Sequence, residues 1–144
     1  MEKNYRNYFK YYLISISVFA VFWLYLKHSV GNDSTISEWI INYQGGFTRR
    51  GLPGEVAFNL AQFFNLNLRF VILIMQIFFY LLYLFLIYEF FKKIKINIII
   101  LFSLFTPIFL IYHIAELEVL ARKELFLFIG FIWFYNISTN EKNV

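Results

Sequence analysis

The sequence contains no cysteine, only two prolines and six glycines, and few charged residues. Without cysteine there is no disulfide framework, no thiol nucleophile and no thiolate metal site. Charged residues make up 15% of the chain, whereas soluble domains have about 25%. Hydrophobic residues make up 60%, against about 45–50% in soluble domains. A water-soluble core cannot absorb this excess, so the composition predicts a membrane protein.

The net charge of +4 does not indicate a nucleic-acid-binding protein. Most of the Lys and Arg residues flank apolar runs, and the positive-inside rule of membrane topology accounts for that placement. The two histidines, His28 and His113, stand alone without metal-ligand spacing. The sequence therefore predicts no nucleic-acid partner, no metal and no cofactor.

Four apolar runs predict an all-α, polytopic membrane helix bundle that forms a single domain over residues 1–144. The runs cover about residues 11–26, 70–88, 96–112 and 120–137, and the second is long enough as a helix to cross the hydrocarbon core of about 30 Å. The fourth is strictly apolar only from residue 125 to 137. It therefore extends back through charged residues or crosses where the membrane is thin or lined by protein. The first run fits an uncleaved anchor better than a signal peptide, because it is long and three more runs follow.

Basic residues predict the orientation of the bundle. They precede the first run and lie between the second and third runs, at Lys3, Arg6, Lys10, Lys92, Lys93 and Lys95. In a four-span protein these two segments face the same side, which the positive-inside rule makes cytoplasmic. The loop of residues 27–69, called the first outward loop below, and the loop before the fourth run then face the opposite side.

Two short helices are predicted in the first outward loop. Helix-start residues precede Trp39 and Tyr43, two aromatic residues typical of a membrane interface. Farther on, Glu55, Asn59 and Gln62 form one polar stripe at helical spacing. The opposite, apolar face is predicted to consist of Ala57, Leu60, Ala61 and Phe64. The first helix is predicted to lie at the interface, and the second either along the membrane surface or packed back into the bundle. In the second run, residues Gln76, Tyr80 and Tyr83 form a polar stripe predicted to face other helices.

The turn between these helices, "NYQGGFTRRGLPGE", predicts an anion site. Gly45 and Gly46 permit positive φ angles and close approach of a ligand to backbone amides. Arg49 and Arg50 add planar donor groups suited to phosphate or carboxylate. The positive-inside rule does not explain arginines on this side. The alternative is a compact structural turn whose arginines pair with Glu38, with Glu55 or with lipid headgroups.

The loop before the fourth run adds a second outward pair of basic residues, Arg122 and Lys123. Ionisable groups at membrane level that topology does not require are candidates for function. The alternative is an ordinary helical ion pair, since Glu118 and Arg122 are four residues apart. Taken together, the two loops predict an anion-binding surface outside the membrane.

"NYQGGFTRRGLPGE" after a first span, followed two spans later by "ARKELFLF", resembles the N-terminal part of a family of multi-spanning proteins. These are the inner-membrane proteins of bacterial surface-polysaccharide gene clusters, among them O-antigen and capsule polymerases. The resemblance implies a bacterial inner-membrane protein with a cytoplasmic N-terminus that handles polyprenyl-diphosphate-linked glycans at the outer face. It implies that Arg49, Arg50, Arg122 and Lys123 contact the diphosphate. It also makes three carboxylates candidates for a catalytic or orienting role, Glu38, Glu55 and Glu124.

One departure from the family pattern limits these expectations. Such polymerases have many more spans than the four predicted here, so glycosyl transfer by this chain alone is in question. The alternatives are a truncated fragment of a larger enzyme, and a non-catalytic small membrane subunit or transport accessory protein that binds lipid or other membrane subunits.

Overall fold

The computed structural model describes residues 2–30, 34–48, 51–94, 98–105 and 120–141. Over these residues the chain forms helices and turns without a β-strand. The helices are α1 (Glu2–Val30), α2 (Ser34–Ile40), α3 (Leu52–Phe64), α4 (Leu68–Lys92), α5 (Ile98–Phe105) and α6 (Leu125–Glu141). The prediction of an all-helical protein is confirmed for the described residues.

Helices α1 and α4 form an antiparallel hairpin. Near the start of α1, Phe9 packs edge-to-face on Phe91 near the end of α4, with 5.4 Å between ring centroids. Near the end of α1, His28 Nε2 lies 2.9 Å from Gln76 Oε1 in the first half of α4. The buried face of α1 recurs every three or four residues, which is the spacing of one helix face, at Phe9, Leu13, Ile16, Ala20 and Leu24.

Helix α6 also packs on α4 and runs in the same direction. Three ring contacts join the two helices, and their residue numbers rise together along both, at Phe79–Phe126, Tyr83–Phe128 and Phe90–Tyr135. The start of α6 lies beside the middle of α4, where the ring of Phe126 contacts that of Phe79.

Two helices are long and apolar enough to cross a membrane, over Arg6–Val30 in α1 and Leu68–Lys92 in α4. They contain the first two predicted spans. Helix α5 covers part of the third predicted span, and the remainder of that span lies outside the described residues. Helix α6 has a shorter apolar stretch, Leu125–Tyr135. It begins five residues later than the predicted span, because residues 120–124 form a turn with Ala121 at φ 59°.

Helices α2 and α3 lie in the first outward loop, where two short helices were predicted. Gly54, Ala57 and Ala61 form the buried face of α3, which packs with Trp39 of α2 and with the first turns of α4. A Cβ atom at Gly54 would meet the backbone carbonyls of Trp39 and Ile41, so α3 can approach α2 this closely only through glycine.

The face of α3 differs in part from the sequence-based expectation. Leu60 and Phe64 were assigned to the apolar face with Ala57 and Ala61, but their side chains are exposed. The reason is that close packing selects the small residues of the helix and leaves the large ones outside. In α4, by contrast, the predicted polar stripe of Gln76, Tyr80 and Tyr83 is buried, which confirms that it faces other helices.

The junction between α3 and α4 is fixed by two asparagines. Asn65 ends α3 in the left-handed conformation, with φ 51°, and the next amide, of Leu66, donates to Ala61 O at 2.9 Å. Asn67 caps α4, since its side chain accepts a hydrogen bond from Arg69 N at 2.9 Å. These caps turn the chain within three residues and hold α3 against the end of the bundle.

Candidate functional site

Trp39 joins the first outward loop to the turn before α6. Its side chain is fully buried, and its indole Nε1 donates a hydrogen bond of 3.0 Å to Ala121 O. Its ring lies 5.6 Å from that of Phe126 in α6. The sequence placed Trp39 at a membrane interface, whereas it is buried within the protein. No local pattern distinguishes these two positions for a tryptophan, because the partner is 82 residues away.

The same contact brings together two of the predicted site residues, Glu38 and Arg122. Arg122 Nε lies 4.0 Å from Glu38 Oε1, and their side chains are 34% and 29% exposed. The sequence-based alternative paired Arg122 with Glu118, which lies outside the described residues. The observed partner, Glu38, comes from the other outward loop.

This ion pair leaves polar atoms without hydrogen bonds. Glu38 Oε2 and Arg122 Nε are buried atoms with no hydrogen-bond partner in the part of the chain that the structure describes. An unmade hydrogen bond at a buried polar group costs about 1–3 kcal/mol. Native structures contain few such groups, and each calls for an explanation such as a ligand or a catalytic role. The two charged groups are therefore close enough to attract each other, but their hydrogen-bonding capacity is not fully used.

Lys123 and Glu124 differ from Arg122 in their surroundings. The turn lies against the protein interior, since Leu120, Ala121 and Leu125 are all buried. Lys123 is carried inward with them and is only 7% exposed, so it does not extend an outward basic surface as the sequence suggested. Glu124 is half-buried at the start of α6. Of the two adjacent basic residues, Arg122 is the more accessible.

Glu55 closes the glycine-rich turn. Its carboxylate Oε2 accepts a hydrogen bond from the backbone amide of Tyr43 at 3.1 Å, which ties the first turn of α3 to the end of α2. A carboxylate held by a backbone amide is positioned, and part of its accepting capacity is used. This arrangement supports a structural role for Glu55 more than a catalytic one.

The predicted anion-binding turn is compact. Gly46 has φ +117°, as the sequence suggested for a glycine here, and its amide donates to Tyr43 O at 3.0 Å. The rings of Tyr43 and Phe47 stack across the turn, 5.8 Å apart. The Gly46 amide is thus used within the turn, while the surroundings of Gly45 are open.

Two predicted residues, Arg49 and Arg50, lie outside the described residues. Gly51, the next described residue, packs so closely against the Tyr43 ring and Thr48 that a side chain there would collide with both. The ends of the turn are therefore held firmly on either side of the two arginines. Among the described residues, no group of three His, Asp or Glu side chains is placed to hold a metal ion.

Comparison of the chain with protein-family models, curated proteins and solved structures finds no match.

Proposed function

We propose that this chain is a four-span protein of the bacterial inner membrane that binds a polyprenyl-diphosphate-linked sugar at the outer face and takes part in glycosyl transfer during surface-polysaccharide assembly. The observation that carries the proposal is the unsaturated pair of Glu38 and Arg122, which joins the two outward loops at one end of the bundle. A site assembled from two loops on a rigid scaffold is typical of binding and catalysis.

The direction of the helices supports four spans. A third span between Lys92 and Leu125, as the sequence predicts, is consistent with α4 and α6 running in the same direction. The third apolar run, residues 96–112, lies in this segment and is long enough to make the crossing. With α1, α4 and α6, this span gives the proposed four-span topology, in which the N-terminus and Lys92 lie on the cytoplasmic side.

The site chemistry follows from the loose ion pair. The diphosphate draws Arg122 toward itself, together with Arg49 and Arg50, because guanidinium groups bind phosphate oxygens in a bidentate manner. The Glu38 carboxylate then accepts the proton of the acceptor hydroxyl. The hydroxyl oxygen attacks the anomeric carbon, the bond from that carbon to the diphosphate oxygen breaks, and the electron pair leaves with the diphosphate. The arginines stabilise the charge that develops there.

The test is a double-mutant comparison of Glu38→Gln, Arg122→Gln and the combined variant in a strain lacking the native gene. We expect each single variant and the combined variant to be present in membranes at the wild-type level but to form no polysaccharide ladder. If the pair were only structural, the combined variant would recover what the single variants lose, because no unpaired charge remains. Wild-type ladders from the combined variant would refute the proposal.

A matched control is the ion pair of Glu89 and Lys92, at 3.5 Å on the surface of α4. It lies at the opposite end of the bundle from the outward loops. Replacing both residues with glutamine changes the same types of charge away from the site, so ladders should be retained.

The second candidate is a non-catalytic membrane subunit. It is favoured by the large apolar side chains that α6 leaves exposed, among them Phe131 and Phe134 at 73% and 71%. Such a surface suits lipid or the helices of a partner subunit. This candidate gains if the combined variant at Glu38 and Arg122 forms ladders while copurification with another membrane protein is retained.

A further inference from the structure

Helix α3 runs back along the first half of α4. Near its start, Gly54 lies against the backbone carbonyl of Trp39, whose ring is 6.3 Å from that of Phe79 in α4. At its end, the short turn that begins with Asn65 leads directly into α4 at Leu68. The stretch from Gly54 to Asn65 and the stretch from Leu68 to Phe79 have the same length, roughly 16 Å as helices. The two stretches are therefore antiparallel neighbours.

The apolar run of α4 gives the depth of this arrangement. It extends from Phe70 to Tyr88, between the charged residues Arg69 and Glu89. As a helix it covers roughly 28 Å, close to the hydrocarbon thickness of about 30 Å. Phe79 is the middle residue of this run. With α4 across the membrane, the start of α3 lies near the middle of the bilayer and its end lies at the outer boundary.

Helix α3 has an exposed apolar face as well as a buried one. Its small residues pack on α2 and α4. A second face carries large apolar side chains that follow one another at three or four residues and are all exposed, at Leu52, Val56, Leu60 and Phe63. The first and last of them are 64% and 80% exposed. Single exposed apolar residues are ordinary, whereas a continuous stripe marks contact with a partner or a membrane.

The exposed side of α4 identifies lipid as the neighbour of this stripe. Val71 is buried in the same cluster as the small residues of α3, whereas Phe70 and Ile74 beside it are 50% and 48% exposed. The exposed side continues at helical spacing to Phe78 and Phe85. In a helix that crosses a membrane, such an apolar side faces acyl chains. The stripe of α3 adjoins this lipid-facing surface.

Charged groups at the same depth lie on the protein side of α3. Glu38 and Arg122 are next in sequence to Trp39 and Ala121, and the hydrogen bond between the latter two holds all four at this level. Helix α3 itself contains no lysine or arginine. Its single charged residue, Glu55, accepts a backbone hydrogen bond from the end of α2. No charge therefore interrupts the apolar stripe.

We propose that α2 and α3 form a re-entrant element, which dips into the outer leaflet and returns through α3 to the start of α4. The large apolar stripe of α3 contacts acyl chains of that leaflet. Asn59 and Gln62, which are exposed on the third face of the helix, line a water-filled opening from the outer side. Irregular backbone at membrane depth is tolerated in such an opening, which accounts for the exposed glycine-rich turn. The pair of Glu38 and Arg122 then lies recessed within the membrane.

Spin labels in the full-length protein, reconstituted into phosphatidylcholine liposomes, test the proposal. Because the chain has no cysteine, Leu52→Cys, Phe63→Cys and Asn59→Cys each place one label at an exposed position. Oxygen concentrates in hydrocarbon and a neutral nickel chelate in water, so the ratio of the two accessibilities measures the depth of a label. Phe78→Cys, on the exposed side of α4, is the reference for a lipid-facing position.

We expect the labels at Leu52 and Phe63 to be accessible to oxygen, as the label at Phe78 is, and the label at Asn59 to be accessible to nickel. The label at Leu52 should lie deeper than the label at Phe63 by up to roughly 16 Å, because α3 rises by about 1.5 Å per residue between them. This gradient distinguishes a re-entrant helix from one that lies flat on the membrane.

Three results would overturn the proposal. Equal depths at Leu52 and Phe63 would place α3 flat on the surface. Nickel access at both positions would place the helix in water. Low access of both probes at both positions would show that another protein segment or a second copy of the chain covers the stripe.

The proposal requires a membrane-crossing α4 but not glycosyl transfer, so it and the proposed function fail separately. If the combined variant at Glu38 and Arg122 retains polysaccharide ladders while α3 shows the depth gradient, the catalytic proposal fails and the re-entrant element stands. If ladders depend on that pair but α3 shows no gradient, the re-entrant element fails and the proposed function stands.

Discussion

The three tryptophans of this chain allow a direct test of how the outward loops are joined. Trp39 is fully buried and donates a 3.0 Å hydrogen bond to Ala121 O. Trp23 has an indole nitrogen that is buried without a hydrogen-bond partner among the described residues. Trp133 is 61% exposed. Replacing each tryptophan by phenylalanine removes one indole N–H, and the three indoles lie in three different environments.

Trp39→Phe leaves the buried Ala121 carbonyl without this donor, which costs about 1–3 kcal/mol. For a chain of this length, 1 kcal/mol shifts the melting temperature by roughly 3 °C. We therefore expect Trp39→Phe to lower the melting temperature by roughly 3–9 °C. Trp39→Ala also removes the packing on Phe126 and should lower it further, for a loss of about 3–5 kcal/mol.

Trp23→Phe and Trp133→Phe serve as matched controls. Trp133→Phe, at an exposed position, should change stability by no more than about 0.5 kcal/mol. Trp23→Phe loses some packing but breaks no hydrogen bond within the described part of the protein, so its loss should be smaller than that of Trp39→Phe. The assay is size-exclusion chromatography of a fluorescently tagged protein after heating in detergent. Equal shifts for all three phenylalanine variants would refute the reasoning, since the Trp39–Ala121 hydrogen bond would then contribute nothing specific to the joining of the loops.

Two further predictions concern packing and topology. Gly54→Ala should lower the melting temperature and loosen α3, measured as faster proteolysis within the first outward loop. The control Gly45→Ala should have little effect, because no atom lies within 4 Å of the added Cβ. Equal proteolysis of both variants would contradict the close contact of α2 with α3. The chain has no cysteine, so Gln44→Cys and Lys93→Cys each introduce a single site for labelling. A membrane-impermeant maleimide should modify only Gln44→Cys in intact cells. Labelling of Lys93→Cys alone would show that the orientation is the opposite of the predicted one.

Local periodicity predicted much of the fold. The buried stripe at Gln76, Tyr80 and Tyr83 could be foreseen because polar residues at helical spacing in an apolar run need protein neighbours. The small face of α3 was only partly foreseen, because a hydrophobic pattern does not say whether close packing will select Ala61 or the larger Leu60. Apolar periodicity therefore predicts where helices form more reliably than it predicts which face of each helix is buried.

The contact between Glu38 and Arg122 was not predicted, although both residues were candidates. The sequence singled out Glu38 and Arg122, yet assigned them to separate loops with local partners. Their pairing depends on Trp39 and on the positive φ of Ala121, a residue that rarely adopts this conformation. Nothing in the neighbouring sequence marks Ala121 for such a turn, so the contact could not be foreseen without the three-dimensional arrangement of α4 and α6.

The long separation between Trp39 and Ala121 has a consequence for biosynthesis. The two residues are 82 positions apart, and at about 5–20 residues per second the ribosome takes roughly 4–16 s to make the intervening chain. During this interval α1 and α4 can already pair, while the indole of Trp39 has no final partner. The lipid headgroup region is a favourable temporary location for tryptophan. We expect the first outward loop to rest there after synthesis and to be withdrawn into the protein only when the turn before α6 arrives.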